Sequence, residues 1–158
     1  MNEPELTHLI EQHPDRGDMP VACIKAICRV ESGPNFDEWA YRYEPGSHWR
    51  FGDDAALTPT ERAGQMISWG LMQIMGWRAR EHGFTSVSFP QLCDPATGMK
   101  FGMLHLKKWF DQYGNWQDAI ASYNAGKPRL GPDGHYLNDS YVKNVLQHWA
   151  QYERQAQV

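Results

Sequence analysis

The sequence predicts a mainly α-helical chain with one small hairpin, on three observations. Apolar residues return at intervals of three and four in the longest stretches, as in Met99, Met103, Leu106 and Phe110. Those stretches are punctuated by Asp, Asn or Pro in front and Gly behind. Only one stretch, Trp39 to Phe51, alternates loosely with period two, around Pro45-Gly46.

Taken in order, Leu6, Leu9 and Ile10 mark a short amphipathic segment, and the loop His13 to Gly17 leads to Asp18, the expected N-cap of a helix with Pro20 in its first turn. That helix should run to about Ser32, where Gly33-Pro34 stops it. The hairpin follows, and then Thr58-Pro59-Thr60-Glu61 reads as a capping box opening a short helix. A helix is expected over Leu71 to His82, ended by Gly83. Asp94-Pro95 opens the strongest helix, stopped by Gly114, and its apolar stripe is core. Trp116 to Ala125 forms the next, carrying Ile120 and Tyr123 and closed by Gly126. Asn138-Asp139-Ser140 offers caps for a final helix bearing Val142, Val145, Leu146 and Trp149.

The 158 residues suit one domain, with no repeat or linker. Seven Trp and seven Tyr are many for this length. Such rings serve equally as bulky core or as displayed platforms for amphipathic ligands such as sugars. A formal charge of −4 without clustered Lys and Arg argues against nucleic acid as a partner. The acidic start lacks a secretory signal, and no apolar run is long enough to span a membrane. Cys23, Cys28 and Cys93 are odd in number and Cys23 and Cys28 are badly spaced for a bridge, so free buried thiols and synthesis in a reducing cytoplasm are expected. The seven histidines show no ligand spacing; they read as surface or structural residues, and no metal or cofactor is expected.

One carboxylate sits on the wrong face. Ile24, Ile27 and Cys28 form the inward stripe of the helix before Gly33, and Glu31 continues it in the last turn. Burial and the negative end of the helix dipole both raise the pKa of a carboxyl there, as a general acid working near neutrality requires. The plainer readings are a Glu that reaches solvent at a frayed helix end, or one paired with Arg29 or Arg42.

Downstream stand Ser68-Trp69-Gly70-Leu71-Met72-Gln73-Ile74-Met75, then Ala121-Ser122-Tyr123-Asn124-Ala125-Gly126, then Tyr141-Val142. With Glu31-Ser32-Gly33, and in this order, the set resembles the lytic transglycosylases of the soluble, SLT type, in the lysozyme-like superfamily, over about Val21 to Trp149. The resemblance implies a lysozyme-like fold of the goose-type and SLT catalytic kind, with Glu31 as acid and base. It implies that Ser32, Ser68, Met72, Gln73, Tyr123, Asn124 and Tyr141 line or organise the cleft. Gln73 and Asn124 have the donors and acceptors to bind N-acetyl groups, or equally to cap local backbone. Tyr123 and Tyr141 are both candidates to hold the Glu31 carboxyl, with Tyr141 favoured, or else are core rings; Met72 reads as cleft wall or core filler.

The chain departs from the pattern in its spacing, since 39 positions separate Glu31 from Gly70. The segment from about Glu44 to Met66 reads as an insertion in a single domain over 1–158. Trp49 and Phe51, beside His48 and Arg50, either wall the groove or pack on one another as a surface elaboration.

The implied reaction is cleavage of the MurNAc–GlcNAc β-1,4 bond of peptidoglycan with closure of a 1,6-anhydro ring, a substrate-assisted route needing no protein nucleophile. A hydrolytic muramidase of goose type, using Asp37, Glu44, Asp53 or Asp54 to activate water, is the nearest alternative. Those acids, with Glu38, fall in loop, hairpin or insertion, where charges are usually solvated. A non-catalytic glycan-binding or phage structural domain is the other. The expected partner is the peptidoglycan glycan strand, met by a monomer. A leaderless wall enzyme made in the cytoplasm and acting in the periplasm or outside the cell fits a phage lysin first, then an effector with its own export route or a chain trimmed of its signal.

Overall fold

The computed structural model describes residues 1–46 and 57–157. The chain begins with α1, Glu3–Gln12, whose N-cap Asn2 and Glu5 form a reciprocal capping box. A 3-10 turn over Pro14–Arg16 leads to α2, Val21–Glu31. The expected cap Asp18 lies outside this helix: the N-cap is Pro20, with no side-chain bond. Met19, only 4% exposed, is drawn into the core instead and leaves Asp18 in solvent, so tertiary packing sets this boundary.

β1 is Tyr41–Tyr43, α3 is Pro59–Gln65, β2 is Ile67–Trp69 and β3 is Ile74–Met75. The three strands form one antiparallel sheet in the order β1-β2-β3. Tyr41 thus pairs with Trp69 and Tyr43 with Ile67, residues far apart in the sequence. The return arm of the expected hairpin falls among residues 47–56, outside the described residues, as do His48, Trp49, Arg50, Phe51, Asp53 and Asp54. The ends of the 44–66 segment meet, since the Glu44 amide donates to the Met66 carbonyl at 2.9 Å. Within it α3 starts at the Thr58 cap as expected, but Glu61 takes up Gln65 and Arg80 with its carboxylate.

The expected helix over Leu71 to His82 is shorter: α4 spans Gly76–Glu81, and Leu71 to Met75 belong to a turn and to β3. Gly70 (φ +70) and Gln73 (φ +46) are both left-handed, which no helix accommodates. At Gly70 a Cβ would also stand 2.4 Å from the Leu92 carbonyl oxygen. The apolar run Leu71-Met72 imitates a helix because it is buried on all sides.

A 3-10 turn over Phe89–Cys93 precedes α5, Pro95–Tyr113, capped by Asp94 and ended by left-handed Gly114. α6 is Trp116–Ala125, ended by left-handed Gly126, and α7 is Asp139–Gln155. α5 and α6 start and stop as the punctuation predicts, and α7 starts where its caps predict. Asn138 occupies the cap position of α7, but its side chain serves α6, as described below.

α5 divides two apolar clusters. Its Met99, Met103 and Leu106 pack with α1, α2, α6 and α7 in the larger one, where α2 lies along α7. Its Phe101 joins Trp69, Ile74, Phe84, Phe89 and Leu92 in a smaller one beneath the sheet. The aromatic residues answer to both expectations: Trp109 and Tyr152 are core, whereas Trp39 and Tyr41 are exposed. Cys23, Cys28 and Cys93 are free and buried. Among the described residues no helix is long and apolar enough to cross a membrane.

Candidate active site

Glu31 is the last residue of α2, and the burial of Ile24, Ile27 and Cys28 turns its side chain inward. Because α2 runs along α7, the first turn of α7 delivers Tyr141, whose hydroxyl donates to Oε1 of Glu31 at 2.6 Å across 110 residues of sequence. Burial raises the Glu31 pKa to about 7; the Tyr141 hydrogen bond and the Arg42 charge hold it down, and Glu44 pushes it up. The carboxyl therefore exchanges a proton near neutrality. Among the described residues its hydrogen-bonding partner is a neutral phenol: Arg42 acts on it through charge, and the guanidinium of Arg42 is bonded to Glu44.

A cleft of about 500 Å³ opens at Glu31. One side is sheet, with Arg42, Glu44, Ser68 and Gln73; the other is built from Trp77 and Arg78 of α4, His105 of α5, and the chain from Tyr123 through Arg129. Of the expected site residues, Glu31, Ser68, Gln73, Tyr123 and Asn124 line this space, whereas Ser32, Met72 and Tyr141 do not. Ser32 turns its hydroxyl back to the Cys28 carbonyl at 2.8 Å and closes the helix end. Met72 is fully buried, and its carbonyl accepts the Tyr123 hydroxyl at 2.6 Å. Tyr123 therefore braces the sheet turn rather than Glu31.

The amide of Gln73 is spent locally. Its nitrogen donates to the carbonyls of Ala40 and Gly70, each at 3.0 Å, and its oxygen accepts from Ser68 Oγ at 2.8 Å. These bonds tie the left-handed turn to the chain entering β1 and compensate the positive φ of Gln73. Asn124 is different: it is exposed, its oxygen accepts from the Asn138 amide at 3.0 Å, and its own NH₂ donates to nothing among the described residues. Asn138 also donates to the Ala121 carbonyl at 3.0 Å, so the start of α7 fixes the orientation of Asn124 at the end of α6.

Sequence reasoning passed over His105. It is only 3% exposed and sits against the Tyr123 ring, at 5.3 Å between centroids. Trp109 Nε1 donates to its Nε2 at 3.1 Å, and its Nδ1 lies 3.2 Å from His82 Nε2. An indole N–H only donates, so His105 carries its proton on Nδ1 and passes a hydrogen bond to His82. Burial pushes the His105 pKa down to about 2, and the ring stays neutral. Phe101, His105 and Trp109 recur every four residues, a second buried row of α5 that was legible in the sequence.

Glu44, which the muramidase alternative singles out, lines the cleft with its side chain 32% exposed. Glu38 pairs with the amino group of Met1, and Asp37 caps the amide of Trp39. Among the described residues no three of His, Cys, Asp or Glu gather as a metal site.

The family model for the transglycosylase SLT domain matches residues 8–144. No curated protein and no solved structure matches the chain. The matched span holds every element from α2 to the start of α7, and with them Glu31, the sheet turn and Asn124. The chain therefore belongs to the transglycosylase SLT domain family, within the lysozyme-like superfamily, whose lytic transglycosylase-type members act on peptidoglycan.

Proposed function

We propose that this chain is a lytic transglycosylase that cleaves the MurNAc–GlcNAc β-1,4 bond, with Glu31 as its single acid and base. The observation that carries the reading is a carboxyl raised to about 7 at an open cleft and held by a phenolic hydrogen bond from Tyr141. Protonated Glu31 gives its proton to the glycosidic oxygen as the bond to the MurNAc C1 breaks. The substrate acetamido oxygen closes on C1, which balances the positive charge without a protein nucleophile. Carboxylate Glu31 then takes the C6 hydroxyl proton, the C6 oxygen replaces the acetamido oxygen at C1, and a 1,6-anhydro ring results. A pKa near neutrality suits a group that must donate and then accept. Asn124, which lines the cleft and whose NH₂ donates to nothing among the described residues, is suited to orient an N-acetyl group.

Glu44 favours a second reading, since a hydrolytic muramidase needs a group to activate water and this carboxylate lies in the same cleft. Its hydrogen bond to Arg42 argues for a structural charge instead. Digestion of purified sacculi, with mass analysis of the fragments, separates the two. The transglycosylase yields anhydro ends one water lighter than hydrolytic ends. Glu31→Gln should lose at least about a hundredfold in rate, because an amide keeps the shape without the proton. Activity within about tenfold of wild type, ~1.4 kcal/mol in the barrier, places the acid elsewhere.

A further inference from the structure

We propose that the side of the cleft formed by Arg78, Lys127 and Arg129 is a subsite for a carboxylate carried by the glycan strand, which rests on the peptidoglycan reading above. The chain as a whole is negative, at −4. Its cleft is not: Arg42, Arg78, Lys127 and Arg129 face Glu31 and Glu44. Local charge opposite in sign to the whole concentrates the field where the ligand enters.

The cations fall into two groups. Arg42 is engaged with Glu44, and these are the charges that act on Glu31. Arg78, Lys127 and Arg129 form the other group, on α4 and the segment that follows α6. Arg78 holds its Cζ over the Trp77 ring, 3.7 Å from the centroid, bonds Glu81 through Nη1 at 2.8 Å, and brings Nη2 up to Gly126. This places it beside the start of the segment that bears Lys127 and Arg129.

That segment is built rather than loose. The Leu137 amide donates to the Arg129 carbonyl and the Gly131 amide to the His135 carbonyl, both at 2.8 Å, and Leu130 bridges Tyr136. Lys127 and Arg129 are exposed and make no ion pair among the described residues. Two unpaired cations held on a braced segment, next to a guanidinium fixed by stacking, suit a carboxylate ligand. Peptidoglycan offers this group in two ways, on the peptide stem and, where the stem has been removed, on the bare lactyl group of MurNAc. A polymer of GlcNAc alone offers none.

The test measures binding without turnover, by co-sedimentation of Glu31→Gln protein with intact sacculi, amidase-stripped glycan and chitin. Lys127→Ala/Arg129→Ala should bind intact sacculi about tenfold more weakly at low salt, with the gap closing at high salt. Lys127→Arg/Arg129→Lys should restore binding, and chitin binding should not change. A loss confined to intact sacculi assigns the stem carboxylate, a loss confined to stripped glycan assigns the lactyl group, and an equal loss on both means that the subsite takes either carboxylate. Unchanged binding to both anionic polymers, or an equal loss on chitin, overturns the subsite. If wild type cuts sacculi while the double variant binds normally, the subsite falls and the catalytic reading stands. Charge-dependent binding without cleavage by wild type does the reverse.

Discussion

The two sides of Glu31 are made differently. Its helical side, α2 against α7, holds one titratable carboxyl, partly buried at the cleft, with a single hydrogen bond among the described residues, from Tyr141. The sheet side carries an outright charge pair, Arg42 with Glu44, at the open cleft, and its shape depends on strained backbone at Gly70 and Gln73. Burial shifts the pKa on the first side because the carboxyl loses hydration there, whereas charges at the second are partly screened. The helices thus set what Glu31 can do, and the sheet turn sets the shape of the space in front of it.

The sheet side should be the easier to break. Gly70→Ala meets two obstacles, a left-handed φ of +70 and a backbone carbonyl 2.4 Å from the new Cβ. Neither can rotate away, so a loss of about 3 kcal/mol or more in urea unfolding is expected. Because the Gly70 carbonyl also receives the Gln73 amide, the surviving folded protein should bind glycan poorly. A loss below about 1 kcal/mol would mean that the turn gives way freely and does not define the cleft.

On the helical side, removing the charge should help the fold. At pH below the ordinary carboxylate value of 4.5, folded and unfolded chains both hold the Glu31 proton and its ionisation costs nothing. Between 4.5 and about 7 only the folded chain keeps it, so stability falls as pH rises; above about 7 the full cost is present. Glu31→Gln should therefore match wild type near pH 4 and exceed it by on the order of 2 kcal/mol at pH 8. Denaturant unfolding at the two pH values reads the difference. An advantage that is the same at both, or absent, removes burial as the source of the shift.

The same contrast governs what the sequence makes legible. The helical side is written in local signals: Ile24, Ile27, Cys28 and Glu31 share a face by spacing alone, and Asp94, Gly114 and Gly126 mark helix ends. The Tyr141 bond follows once two such helices are set side by side. The sheet side rests on pairing between distant residues, Tyr43 with Ile67, for which no local pattern exists. Leu71-Met72 misled for the same reason, since an apolar run buried from all sides has no period to read. Motif matching pointed to Gln73 and Ser68, which line the cleft, but could not show that their amide and hydroxyl are committed to each other. Glu44 entered only as a candidate for the water-activating route, because a charged residue beside a turn is ordinarily solvated.

The finest distinction concerns how each side tunes the acid, and it shows in the alkaline limb of the pH–rate profile, where protonated Glu31 runs out. The Tyr141 hydrogen bond favours the carboxylate, so Tyr141→Phe should move that limb upward, by about one pH unit given the usual worth of a bond to a charged group. Glu44 disfavours the carboxylate, so Glu44→Gln should move it downward. The carboxyl of Glu44 is 32% exposed and already paired with Arg42, so its shift should be only a few tenths of a unit. Opposite directions with unequal sizes are what a buried hydrogen bond and a screened surface charge require. Equal shifts would place both groups in the same dielectric and dissolve the contrast between the two sides. A collapse of rate in Glu44→Gln, as deep as that of Glu31→Gln, would make Glu44 a reacting group. The anhydro ends would then have to give way to hydrolytic ones, because a second essential carboxylate belongs to the water-activating route.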